Sequence, residues 1–116
     1  MPTIPLRTLK KRRDFLRLAR SGAARMPGFV LQGRDRGDGQ PVIRIGYTCS
    51  RKVGNAVTRN RAKRRLRSIA RDMLPRLGRG GWDYVLIGRA GTTIARTFPQ
   101  LLDDFSAAIA RLHPAP

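Results

Sequence analysis

Between Arg51 and Arg71 the chain places Arg51, Lys52, Arg59, Arg61, Lys63, Arg64, Arg65, Arg67 and Arg71, nine cations with no acid among them. A guanidinium is planar, permanently charged, bidentate toward phosphate and able to stack on a base. A solvated helix face ordinarily mixes signs, with acids placed four residues from the bases they pair with. Nothing here offsets the mutual repulsion, so the segment predicts a surface built for an anionic partner. Asn55 and Asn60 add amides that donate and accept at once, which suits sugar hydroxyls and base edges as well as phosphates. A membrane-surface helix would set Trp or Phe opposite its charges, and this segment contains neither.

Chemistry beyond binding is short of groups. Cleaving a phosphodiester calls for metals on clustered carboxylates or imidazoles, or for a histidine pair acting as acid and base. The chain has one histidine, His113 beside Pro114, no glutamate, and seven acids in Asp14, Asp35, Asp38, Asp72, Asp83, Asp103 and Asp104. The adjacent pair Asp103 and Asp104 would point about 100° apart on a helix, a poor chelate. Cys49 is alone, which excludes an internal disulfide and a Cys-x-x-Cys knuckle and reads as a half-buried strand residue in a reducing compartment. Neither a catalytic nor a metal-binding constellation is therefore expected in this chain.

The basic residues need a scaffold, and their spacing names it. A helix is expected from the Gly54-Asn55 turn to Leu74, stopped by Pro75. On a wheel of about 100° per residue, Ala62, Leu66, Ile69, Ala70 and Met73 share an apolar stripe, while Asn60, Lys63, Arg64, Arg67 and Arg71 form a separate arc. A first basic amphipathic helix is expected over Thr8 to Arg20, ended by Ser21-Gly22. Strands are expected at Phe29 to Leu31, Val42 to Thr48 and Trp82 to Ile87, with a further short one at Ala23 to Met26. Thr97 caps a last helix with Pro99 in its first turn and Leu101, Leu102, Phe105, Ala108, Ile109 and Leu112 on one stripe. Trp82 reads as a packing residue rather than a base stacker.

The 116 residues fit one domain, 1–116, with residues 1–6 and 113–116 expected to fray. With 41% hydrophobic residues a normal core can form. Against it stands a formal charge of +18 from 25 bases and seven acids, a field that draws polyanions and argues against a neutral metabolic enzyme. No apolar run suits a membrane span or a signal peptide, and a cytoplasmic location is expected.

The block Ser50-Arg-Lys-Val-Gly-Asn-Ala-Val-Thr-Arg-Asn-Arg-Ala-Lys-Arg-Arg-Leu-Arg67 closely resembles the signature of the bacterial ribonuclease P protein family. Arg59-Asn60-Arg61 stands where that family has its Arg-Asn-Arg core, after a Lys-x-Gly-Asn-Ala-Val turn at Lys52 to Val57. Leu9-Lys10 with Asp14-Phe15, Phe29-Val30-Leu31, Ile45-Gly46, and Asp83 to Ile87 with Arg89 match further family segments in order. The resemblance implies an α+β fold, a small α/β sandwich of order αβββαβα similar to a ribosomal-protein S5-type domain, with a left-handed crossover carrying the basic helix. The usual crossover rule alone would favour the right-handed form.

The same resemblance implies a non-catalytic protein subunit that assists a catalytic RNA in removing the 5′ leader of precursor tRNA. Mg²⁺ would be held mainly by the RNA and its substrate. Carried over by position, the RNA-contacting candidates are Lys52, Asn55, Arg59, Asn60, Arg61, Lys63, Arg64, Arg67 and Arg71. A leader cleft between the sheet and the first helix would involve Lys10, Phe15 and Tyr47. The family often has a second aromatic where this chain has Ala19, and a tyrosine where it has Gln32. Losing stacking platforms matters, since each stacked base contributes about 1–3 kcal/mol. Two other readings share the charge and size: a non-enzymatic ribosomal or RNA-chaperone protein, and a DNA-binding protein, the last weakened by the lack of a helix-turn-helix partner.

Overall fold

The computed structural model describes residues 4–114. Five strands form one mixed sheet: β1 (Leu6–Thr8), β2 (Gly22–Arg25), β3 (Phe29–Asp35), β4 (Ile43–Thr48) and β5 (Trp82–Gly88), in the spatial order β1-β4-β5-β3-β2. The helices are α1 (Arg12–Ala19), α2 (Ala56–Leu77), the single turn α3 (Thr92–Ala95) and α4 (Phe98–Leu112), with a 3₁₀ turn at Arg51–Val53. Strands β2, β3 and β5 pair antiparallel, and β1, β4 and β5 pair parallel. Neighbours β4 and β5 run parallel because α2 carries the chain back between them, as a βαβ connection must.

Both faces of the sheet are covered. Phe29, Leu31, Ile43, Ile45, Tyr84 and Leu86 pack against Leu66, Ile69, Ala70, Met73 and Leu74 of α2 and Leu101, Phe105, Ala108 and Ile109 of α4. On the other face Leu18 of α1 and Leu9 meet Val85, flanked by Phe15 and Ile87. Alternation along β5 divides Tyr84 and Leu86 from Val85 and Ile87 between the two layers. Burying each such side chain stabilises the fold by about 1.5–3 kcal/mol, so most of the sandwich depends on the α2/α4 side.

Several expected boundaries move. The first helix begins at Arg12, because Leu6–Thr8 pair with β4 as an edge strand and Leu9 N–H donates to the Ile45 carbonyl at 2.8 Å. Ile4 N–H donates to Pro75 and Pro5 accepts from Ile43, so the expected fraying at residues 1–6 does not extend to 4–6, and residues 1–3 lie outside the described residues. Pro75 sits inside α2, which continues to Leu77. A proline lacks only its own N–H, and this close to the end the helix loses a single bond before Gly78 N–H closes on the Leu74 carbonyl at 2.8 Å.

The C-terminal end of α4 is also held. His113 sits against Trp82, with ring centroids 4.3 Å apart, and its Nε2 lies 2.7 Å from the Tyr84 hydroxyl, so the fraying expected from 113 does not apply to this residue. Trp82 stacks on Tyr84 and serves packing, as expected. The N-terminal end of α4 has the capping box in full, Thr97 accepting from Gln100 N–H and Gln100 from Thr97 N–H.

Candidate nucleic-acid interface

The entry to α2 is set by Gly54 and Asn55. Gly54 has φ +151°, and a Cβ there would lie 2.8 Å from Thr58 Cβ, so a side chain would be strained as well as crowded. Asn55 caps the helix, its Oδ1 accepting from Thr58 N–H at 2.9 Å. The amide expected to face a ligand thus spends its acceptor on the helix and keeps only its NH₂ free. Lys52 is exposed on the preceding 3₁₀ turn.

Along α2 the expected apolar stripe is buried throughout: Ala62, Leu66, Ile69, Ala70 and Met73, joined by Leu74. Asn60, Arg61, Arg64 and Arg71 are exposed, and Arg59, Lys63 and Arg67 are half-buried. At about 100° per residue, the Arg59-Asn60-Arg61 core divides. Arg59 lies next to the buried stripe, Asn60 on the cationic arc and Arg61 on the helix back. Arg67 lies over the Tyr47 ring, 5.3 Å from its centroid, a cation–π contact that holds the guanidinium flat against β4.

Arg65 differs from its neighbours. Its Nε donates to the Thr93 carbonyl at 3.0 Å and an Nη donates to the Arg96 carbonyl, so it ties α2 to α3. Among the described residues the ion pairs engage Arg17, Arg36, Arg44, Arg76 and Arg96, and no cation between Arg51 and Arg71 takes part.

Three of the seven acids are used inside the fold. Asp14, Asp83 and Asp104 are buried. Asp83 accepts from Arg36 at 3.0 Å and from Arg44 at 2.7 and 2.6 Å, while Asp14 lies 3.6 Å from Arg44. Asp104 accepts from Arg96 at 2.7 and 2.9 Å and from Gly28 N–H at 3.1 Å. These networks fasten α1 and the β3–β4 loop to the sheet and α4 to the β2–β3 turn. They also take negative charge off the surface, so the cations from Arg51 to Arg71 have no ion-pair partner among the described residues.

The second candidate region lies on the opposite face of the sheet. A shallow recess of about 360 Å³ is lined by Lys10, Arg12, Phe15 and Thr48. The Phe15 ring covers Gly46, where a Cβ would come within 2.5 Å of it, so only glycine admits the ring at this point of β4. Lys10 and Phe15 are thereby brought together. Tyr47 is not: Ile43, Ile45 and Tyr47 point toward α2, whereas Arg44, Gly46 and Thr48 point toward α1, and the grouping of Tyr47 with Phe15 is corrected by this alternation. Arg12 and Thr48 escaped the sequence reading, although Thr48 follows from strand parity once Gly46 is placed. Gln32 is level with Val85 on the α1-facing side, and Ala19 is exposed, so neither supplies an aromatic platform.

Burial pushes the Tyr47 phenol up to about 12 and raises the Cys49 thiol above its ordinary value, against the opposing pull of nearby arginines and Lys63. Tyr47 therefore remains a neutral O–H donor, and Cys49 an inert half-buried thiol. Among the described residues no three His, Cys, Asp or Glu side chains converge where they could hold a metal ion. Among the described residues no helix is long and apolar enough to cross a membrane.

A family model described as Ribonuclease P matches residues 5–113. A ribonuclease P protein component from Ruegeria pomeroyi is 55% identical over 106 residues, covering 90% of this chain and 85% of the relative. One from Caulobacter vibrioides is 44% identical over 110 residues, covering 95% and 73%. The solved ribonuclease P protein from Thermotoga maritima superposes with a TM-score of 0.75 at 28% identity, covering 90% of this chain and 96% of that one. That from Staphylococcus aureus, at 23% identity and a TM-score of 0.74 over 91% and 94% of the two chains, shares the fold. With a family model spanning nearly all of it and relatives this similar over most of their length, the chain belongs to the ribonuclease P protein family.

Proposed function

We propose that this chain is the protein subunit of a ribonucleoprotein endonuclease in which ribonuclease P RNA holds the catalytic centre and the protein assists removal of the 5′ leader from precursor tRNA. One observation carries the reading: the buried acids Asp14, Asp83 and Asp104 are spent on arginines outside residues 51–71, while the cations from Arg51 to Arg71 take part in no ion pair among the described residues. The face bearing Asn60, Lys63, Arg64, Arg67 and Arg71, with Lys52, Arg59 and Arg61 at its margins and the free amide of Asn55 at its start, docks on the RNA. Lys10 and Phe15, with Arg12, meet the leader on the other side of the sheet. One aromatic in place of several makes the grip on the leader depend more on charge than on stacking. Mg²⁺ is carried by the phosphates of the RNA and its substrate.

Reconstitution tests this. The protein alone is expected to cut nothing, and addition of ribonuclease P RNA from the same source to give Mg²⁺-dependent leader removal. Cleavage by RNA-free protein, or no stimulation of the RNA, overturns the division of labour. The double variant Arg59→Ala, Arg61→Ala is expected to bind the RNA more weakly with a salt slope flatter by roughly 1.5–2. RNA recovered with the native protein should be one discrete species, and a spread of ribosomal RNA would favour a ribosomal or chaperone protein instead.

A further inference from the structure

Where β1 borders α2 there is a separate recess of about 130 Å³, lined by Leu6, Arg7, Thr8, Ile45, Tyr47, Arg67 and Arg71. It lies on the α2 side of the sheet, away from Phe15. Strand parity decides which side chains enter it. Leu6 packs into the α2-facing core, so Thr8, two residues on, shares its face, while Arg7 turns to the side of its register partner Arg44 and contributes backbone. The polar side chains of the recess are thus Thr8 and Tyr47 from the sheet and Arg67 and Arg71 from the helix. Arg67 is held by the Tyr47 ring, and both arginines lie close enough to favour a negative charge on its hydroxyl. Neither arginine has a carboxylate partner among the described residues.

We propose that this recess is a binding site for one phosphate group of the RNA backbone, with Arg67 and Arg71 as its charged donors and the Tyr47 and Thr8 hydroxyls as its neutral ones. The inference rests on the proposed docking of α2 on RNA and assigns Tyr47 to that contact rather than to the leader cleft. Size suits the ligand: pockets that enclose a drug-sized molecule start at about 300 Å³, and this smaller recess has room for a phosphate group. Its chemistry agrees. Two guanidiniums supply bidentate donors, and hydroxyls can complete the shell around the remaining oxygens. The free edge of β1 adds backbone. Pro5 and Leu9 bond to β4, so the N–H groups of Leu6 and Thr8 point away from it.

The test measures affinity for ribonuclease P RNA across a salt series, using the full chain. Tyr47→Phe keeps the ring under Arg67 and removes only the hydroxyl, and is expected to weaken binding by about threefold to tenfold. Arg71→Ala is expected to weaken it about tenfold and to reduce the salt slope by about 1. The two together should be less than additive, because both act on one phosphate. Wild-type affinity in both single variants, or strict additivity, overturns the proposal. Arg64→Ala separates this failure from a wider one: if it weakens binding while Tyr47→Phe and Arg71→Ala do not, the recess alone is wrong, and if wild type fails to bind the RNA, the function is. A second arm follows the Tyr47 ring resonances. A shift on adding RNA supports the site, and a shift with inorganic phosphate alone, unaltered by RNA, assigns the recess to free phosphate and overturns it.

Discussion

Arg64 and Arg65 are adjacent arginines on one helix, and their alanine variants should fail in opposite ways. Arg65 fastens α2 to α3 through the Thr93 and Arg96 carbonyls, and truncation leaves both acceptors without that partner. An acceptor left unpaired in a buried setting costs about 1–3 kcal/mol. Because Arg65 is half-exposed and water reaches part of this site, about 1–2 kcal/mol in total is expected. For a chain of this size that lowers the melting midpoint by about 4–8 °C, against a total stability of about 5–15 kcal/mol. Arg64 is exposed and bonds to no protein group among the described residues, so its truncation should change stability by less than about 0.5 kcal/mol. Its effect should appear on RNA instead, as roughly tenfold weaker binding and a salt slope lower by about 1. Thermal unfolding and filter-binding titrations at several salt concentrations measure both quantities. Equal loss of RNA affinity in the two variants with unchanged melting of Arg65→Ala would falsify the division of α2 into a clamping side and a docking side.

Gly46→Ala places a methyl 2.5 Å from the Phe15 ring, so it should cost about 1–3 kcal/mol in overpacking and disturb leader binding while leaving affinity for the isolated RNA subunit intact; urea unfolding paired with leader-length-dependent substrate binding checks it, and unperturbed stability would show that Phe15 is not seated there. His113 should make the fold sensitive to mild acid. The Tyr84 hydroxyl accepts Arg79 N–H at 3.0 Å and lies in hydrogen-bond contact with His113 Nε2 at 2.7 Å, while burial, aided by Arg79, holds the imidazole below its ordinary value. A lowered folded-state value means the unfolded chain binds the proton more readily, so stability is complete above about pH 6.5 and declines as pH falls through that point. Denaturant midpoints between pH 7.5 and 5.5 should fall in the wild type and stay flatter in His113→Gln, and parallel curves would remove His113 from the effect.

Much of the α2 surface was legible from residues 51–71, because the 3.6-residue period sorts Ala62, Leu66, Ile69, Ala70 and Met73 to one side of a helix whatever it packs against. The Thr97 cap was equally local. The region around Phe15 was less legible. Strand parity says that Gly46 and Tyr47 face opposite ways, but only the placement of α1 and α2 on the two faces says which of them meets Phe15.

The sequence by itself determined that this chain carries a concentrated run of cations from Arg51 to Arg71 with no acid among them, on a helix with one apolar stripe, since charge, composition and periodicity are properties of neighbours along the chain. Tertiary structure decided the rest. It buried Asp14, Asp83 and Asp104 against arginines up to 47 residues away, turned Arg65 inward while its neighbour Arg64 stayed free, drew His113 onto Trp82, and closed β1 over Arg67 and Arg71 to form a recess. Each of these is a contact between segments distant in sequence, and local pattern is silent on which segments meet.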